Sequence, residues 1–296
     1  MPEIPENFLG LEPPLDAYET ARAAILPVLF ERTTSYRKGT HDGPEAILRA
    51  SRQVETYDDE LDTEAAEAGI ATVALFAPEA YELEAAIGEI RAEAHCHLEA
   101  GKFLVTLGGE HSLTLGPVLA AREVFGEIGV VQFDAHADLR ASYEGTPYSH
   151  ASVMRRIFEA GVPAFGIGIR ALSSPEAELI REHELPILWG RELDDPAADE
   201  RFEQGLASLP ERVYLTFDVD YFDPSIVPAT GTPEPGGGRW YPTLRWLRRL
   251  FEAKDVVAMD AVELAPLADQ PASDLTTARL IYKCLGYKCL GYKLLS

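Results

Sequence analysis

Apolar residues along this chain gather in short dense runs, separated by longer stretches of mixed spacing. Five runs are rich in β-branched and aromatic residues: Ala71 to Phe76, Lys102 to Leu107, Ile128 to Phe133, Val213 to Phe217 and Val256 to Met259. They are too short for helices and are expected to be buried strands. Ala164 to Arg170 and Pro186 to Trp189 add two more. Between them, segments such as Glu82 to Glu99, Leu115 to Phe125 and Pro175 to Glu184 carry Ala, Glu, Arg and Leu at helical spacing. Strands apolar on both faces, alternating with helices, predict an α/β fold with a mostly parallel sheet between two helical layers. In such folds ligands bind beyond the carboxyl ends of the strands, at a topological switch point.

The two ends of the chain stand apart. Residues 1–35 are Pro-rich, lack a strong period and are expected to form an arm beside a single domain covering 36–296. Near the C-terminus, Tyr282-Lys283-Cys284-Leu285-Gly286 recurs as Tyr287-Lys288-Cys289-Leu290-Gly291. A period of five suits neither helix nor strand, so residues 282–296 read as a duplicated or artificial tail rather than a functional repeat.

Composition narrows the class. With 296 residues, 46% hydrophobic and a mean hydropathy of −0.09, the chain is neither disordered nor fibrous. No apolar run reaches the ~18 residues of a membrane span. The start, Met1 to Glu6, does not read as a secretory signal, and three cysteines cannot build a disulfide framework. The cytoplasm is the expected location. A net charge of −23 and a pI of about 4.6 repel nucleic acid and anionic membranes, and attract metal ions or polyamine-like molecules.

Three motifs stand where apolar runs stop: Gly108-Gly109-Glu110-His111-Ser112, Asp134-Ala135-His136-Ala137-Asp138 and Asp218-Val219-Asp220. On an extended backbone Asp134, His136 and Asp138 would point to one side, and Asp218 and Asp220 repeat that spacing one strand away. Gly108 and Gly109 permit a tight turn that brings His111 to the same rim. Four carboxylates in one pocket cannot all stay ionised without compensation, and two divalent cations supply it. Zinc favours sites richer in His and Cys, whereas mixed carboxylate and imidazole ligation suits manganese, so two Mn²⁺ per subunit are expected, with iron, cobalt or nickel as alternatives. An Asp at a strand end is by default a turn former or cap, and Asp223, followed by Pro224, is read that way. The side chains of His95-Cys96-His97 diverge around a helix and are not read as ligands.

In this order and separation the motifs resemble those of the ureohydrolases, arginase, agmatinase and their relatives, from about Gly43 to Glu263. The resemblance implies a three-layer, arginase-like α/β/α fold and a binuclear manganese cluster. It places His111 and Asp138 on one ion and His136 and Asp220 on the other, with Asp134 and Asp218 bridging. Water activated by the two ions would attack a planar guanidinium carbon, with Asp138 orienting it. His150 matches the family's proton-shuttling histidine, and Glu263 the carboxylate that grips the guanidinium. The loop Ala229 to Gly238 resembles one bordering the site, and a trimer or hexamer is implied.

The segment Leu139-Arg140-Ala141-Ser142-Tyr143-Glu144 to His150 looks like that of bacterial and archaeal agmatinases rather than arginases. The expected substrate is therefore a small cationic guanidino compound, agmatine, cleaved to putrescine and urea, with Glu144 meeting the distal ammonium. N1-aminopropylagmatine, arginine, guanidinobutyrate and formiminoglutamate are alternatives, Arg140 favouring the last. A metal-stabilised binding subunit without turnover is the non-enzyme alternative.

Overall fold

The computed structural model describes residues 7–294, with side chains up to Cys289. Among the described residues ten strands form, β1 (Ala23–Pro27), β2 (Tyr57–Asp58), β3 (Thr63–Glu64), β4 (Ile70–Thr72), β5 (Phe103–Leu107), β6 (Gly129–Phe133), β7 (Ala164–Ile169), β8 (Ile187–Trp189), β9 (Arg212–Asp218) and β10 (Asp255–Val262). The helices are α1 (Gly43–Ser51), α2 (Leu83–Glu99), α3 (Leu115–Phe125), α4 (Val153–Glu159), α5 (Ser174–Glu182), α6 (Ala198–Ala207), α7 (Trp240–Ala253) and α8 (Ala272–Leu294). Eight strands make one sheet in the order β4-β1-β5-β10-β9-β6-β7-β8, every pair parallel. β2 and β3 form a small antiparallel pair apart from it.

Because side chains alternate along a strand, each central strand feeds two cores. Phe103, Val105, Val131, Phe133, Val213, Leu215 and Phe217 pack on one side against α1, α6, α7 and α8. Leu104, Val130, Tyr214 and Ala258 pack on the other against α2, α3, α4 and α5. The result is the expected three-layer arrangement. β5 and β6 are consecutive strands of the large sheet in the chain, yet β10 and β9 lie between them. The carboxyl ends of these four strands define the switch point, the place where α/β folds of this kind bind ligands.

The ends of the chain correct two expectations. Ala23–Pro27 is not part of an arm: it is a fully buried strand between β4 and β5. A run of five residues closed by a proline offered too little pattern to mark it. The repeated tail is also structural, since both copies of the pentapeptide fall in α8. Residues 281–287 are all buried, and a helix enclosed on every side needs no amphipathic period. There Lys283 Nζ donates to Asp58 (2.7 Å) and Glu60 (3.0 Å), tying α8 to the β2–β3 region. The strand expected over Ala71 to Phe76 is shorter, with Phe76 returning only as a single bridge to Val28. Among the described residues no helix is long and apolar enough to cross a membrane.

Candidate metal centre

The four switch-point strands each deliver polar groups to one spot. His111 follows β5, the Asp134 to Asp138 segment follows β6, Asp218 ends β9 with Asp220 just beyond, and Glu263 follows β10. His111, Asp134, Asp138, Asp218, Asp220 and Glu263 are all buried, while His136 is partly exposed.

The ligand segments are bent rather than extended, which corrects the spacing argument. The His136 N–H donates to Asp134 Oδ1 at 2.6 Å, folding the chain back on itself, and Asp138 takes a left-handed φ of 52°. Asp218 likewise caps a 3-10 turn over Val219–Tyr221, its Oδ1 accepting the Asp220 N–H at 2.9 Å. Convergence still follows, because backbone N–H groups fix one carboxylate oxygen and aim the other inward. Asp220 Oδ1 accepts from Ala135 N at 3.0 Å, leaving Oδ2 at 2.8 Å from His136 Nδ1. His111 Nδ1 lies 3.2, 3.1 and 3.4 Å from oxygens of Asp134, Asp138 and Asp218.

Two sets of atoms could each hold a metal ion, the atoms within a set lying within 4.8 Å of one another: His111 with Asp134 and Asp218, and Asp134 with His136 and Asp220. Asp134 belongs to both. The donor atoms fit divalent cations in a further respect. His111 Nε2 meets Thr216 Oγ1 at 2.9 Å, and that hydroxyl gives its one proton to Asp260 Oδ1 at 2.7 Å. Thr216 can therefore only accept from His111, so Nε2 carries a proton in either form of the ring. In the neutral ring Nδ1 is then a bare lone pair, facing three carboxylates with no hydrogen-bond partner, as a metal ligand requires.

Electrostatics point the same way. Burial works against charge on His111, yet the Asp134, Asp138 and Asp218 carboxylates raise its pKa well above the usual value. Despite burial, Asp220 foremost raises His136 to about 11. Burial and repulsion from Asp134 lift Asp138 to about 6, and burial with repulsion from Asp220 raises Asp218 and Asp134. Asp220, paired with His136, falls to about 2 in spite of burial. Without cations, these groups hold together by sharing protons; cations of charge two would replace those protons.

A row of polar residues inside the sheet supports the cluster and was not singled out from sequence. Strand register aligns Thr106, Asp260, Thr216 and Gln132 across β5, β10, β9 and β6. Asp260 accepts from Thr114, Tyr214 and Thr216, and Gln132 Nε2 donates to Asp134 Oδ2 at 2.8 Å. The available signal was a polar residue within each otherwise apolar run, since a buried polar side chain must find a partner.

Glu263 adopts a left-handed φ of 63°. Its N–H donates to Gly109 O at 2.8 Å, and its Oε1 accepts the His111 N–H at 2.6 Å. On its other side Gly109 lets the Phe30 backbone pass close by, because a Cβ there would lie 1.9 Å from Phe30 O. Burial drives the Glu263 pKa well above the ordinary range. The loop with Gly231 passes close by, a Cβ on Gly231 falling 3.8 Å from Glu263 Oε2. His150 is held by Thr33 and Ser35. Glu144 is exposed at the tip of the Tyr143–Thr146 turn. Asp223 is the expected turn former, accepting from Ser225 N (3.0 Å) and Gly236 N (2.9 Å). His97 is occupied by Tyr18 at 2.8 Å.

Comparison with known proteins places this geometry. The family model described as the arginase family matches residues 21–286. The N(1)-aminopropylagmatine ureohydrolase of Synechocystis sp. is 43% identical over 270 residues, covering 89% of this chain and 87% of that protein. The agmatinase of Pyrococcus horikoshii is 35% identical over 86% of this chain and 88% of its own. The crystal structure of agmatine ureohydrolase of Thermoplasma volcanium superposes with a TM-score of 0.85 at 30% identity, covering 94% of each chain. With the match extending from β1 into α8, the chain belongs to the arginase family of ureohydrolases.

Proposed function

We propose that this ureohydrolase uses two Mn²⁺ ions to hydrolyse linear aminoalkylguanidines, with N1-aminopropylagmatine as the preferred substrate and agmatine as the second. The observation that carries the reading is the largely buried double set of His and Asp side chains sharing Asp134, with Glu263 bonded to the backbone of His111. Bound ions of this kind supply Lewis acidity and lower the pKa of water towards neutrality. His111, Asp134 and Asp218 would hold one ion, and Asp134, His136 and Asp220 the other, with Asp138 beside His111.

The remaining steps belong to side chains. Glu263 Oε1 is taken by the His111 N–H, which leaves Oε2 to accept from a guanidinium. Carboxylate and guanidinium match in shape and charge, so this contact orients the planar carbon. Asp138 accepts a hydrogen bond from the attacking water and aims it. As the carbon–nitrogen bond breaks, His150 gives a proton to the departing amine. One water is consumed, and urea and a free amine are released: spermidine from N1-aminopropylagmatine, putrescine from agmatine.

The substrate order departs from the expectation of agmatine first. Relatives named N(1)-aminopropylagmatine ureohydrolase reach 39 to 43% identity, against 35% for the agmatinase of Pyrococcus horikoshii. A longer polycation also suits a chain of net charge −23. Urea release from N1-aminopropylagmatine, agmatine, arginine and guanidinobutyrate, measured with Mn²⁺ present, tests the reading. The highest kcat/KM is expected with N1-aminopropylagmatine; equal or faster turnover of arginine would overturn it.

A further inference from the structure

The histidine that protonates the leaving amine is gripped by a segment that carries none of the ligand motifs. Thr33 Oγ1 lies 3.2 Å from His150 Nδ1 and accepts the His150 backbone N–H at 3.0 Å. Ser35 Oγ lies 3.4 Å from Nε2, and Tyr143 packs its ring edge-to-face at 5.6 Å. Behind Thr33 sits Glu110, fully buried next to ligand His111. Its carboxylate accepts from Arg32 N, Thr33 N (2.5 Å), Ser112 Oγ and Thr33 Oγ1 (2.7 Å).

Counting protons and lone pairs fixes the ring. A hydroxyl has one proton and two lone pairs. Thr33 gives its proton to Glu110 and spends one lone pair on the His150 backbone N–H. Only a lone pair remains for the imidazole, so Nδ1 must be the nitrogen that carries hydrogen. The neutral ring then presents Nε2 as its free base, on the side of Ser35.

We propose that Thr33, anchored by Glu110, is a positioning residue for His150, locking the tautomer whose Nε2 exchanges protons during turnover. The proposal rests on His150 serving the ureohydrolase reaction as its proton donor. When Nε2 is protonated, the Nδ1–H stays bonded to a hydroxyl polarised by a buried carboxylate, which stabilises the imidazolium. When Nε2 gives its proton to the departing amine nitrogen, a nitrogen–hydrogen bond forms as the carbon–nitrogen bond breaks. The neutral ring is left in its starting tautomer and takes its next proton from solvent. Because Thr33 acts through His150, its effect falls on kcat rather than KM.

The test compares T33V, T33S, H150A and T33V/H150A at full metal loading. T33V is expected to lower kcat about 10-fold with KM within about twofold, a fraction of the ~10²-fold or more expected from the proton donor itself. T33S keeps the hydroxyl and should recover most of that loss. In the H150A background T33V should cost less than about twofold, because the two residues act as a unit. An equal loss in both backgrounds would overturn the proposal. Ring ¹⁵N shifts of His150 in full-length protein free of paramagnetic metal give a readout independent of turnover. The wild type should show Nδ1–H, with T33V shifting towards Nε2–H; an Nε2–H ring in the wild type overturns the assignment. Were the wild type inert towards every guanidino compound, the proposed function would fail while the ring spectrum still decided the role of Thr33.

Discussion

Replacing Thr216 by valine keeps shape and removes one hydroxyl from the row beneath the metal centre. Asp260 loses its 2.7 Å donor but keeps Thr114 at 2.8 Å, Tyr214 at 2.9 Å and the Phe217 N–H at 3.3 Å, so it remains satisfied. His111 is affected more, because its Nε2–H loses the 2.9 Å acceptor at a site with 1% exposure. A cation on Nδ1 forces the ring proton to stay at Nε2, now unpaired, whereas the metal-free ring can shed it and keep a proton at Nδ1 among the carboxylates. Up to the full cost of a buried unsatisfied donor, about 1–3 kcal/mol, therefore appears as lost metal affinity. That corresponds to a weakening of roughly 5- to 150-fold, in line with the effect of removing a partner behind a ligand. Competition with a fluorescent chelator measures the Mn²⁺ affinity directly. Affinity within twofold of the wild type would refute the reasoning, since Thr216 would then not set the proton on His111.

Three further outcomes are expected. Asp218→Asn or His136→Ala should abolish urea release and lower bound manganese, read by activity and metal content on the same sample. In metal-free protein, folded Asp138 holds its proton up to about pH 6 against an ordinary 3.8; the folded state therefore binds the extra proton between about pH 4 and 6, and stability falls as pH rises through that window. His136, raised to about 11, continues the decline above its ordinary 6.5, and Mn²⁺ should reverse it; denaturant unfolding at stepped pH, with and without metal, would expose a flat or opposite trend. Lys283→Ala leaves Asp58, 1% exposed, without its cation, and should destabilise the fold by about 3 kcal/mol with kcat unchanged, measured by urea unfolding and urea release.

The sheet and the gathering of acidic residues and histidines at its strand ends were largely legible because they are written locally. A strand apolar on both faces is a continuous run, and Asp134, His136, Asp138, Asp218 and Asp220 interrupt such runs where the chain leaves the sheet. The conformation of the ligand segments was not legible. Alternation assumed an extended chain, whereas Asp134 and Asp218 bend it by accepting N–H groups two residues on. Long-range groups were also hidden. Thr33 reaches His150 across 117 residues and Asp260 reaches Thr216 across 44, so no local spacing announces either pair. β1 escaped because five residues carry little periodicity, and α8 because its stretch 281–287, buried all round, lacks a polar face.

The account stands on a pair of cations gathered around Asp134. Elemental analysis of the purified chain after reconstitution with Mn²⁺ and removal of loosely held ions tests this most directly. About two manganese ions per chain are predicted from the two ligand sets; fewer than about one would contradict a binuclear centre built on these strand ends.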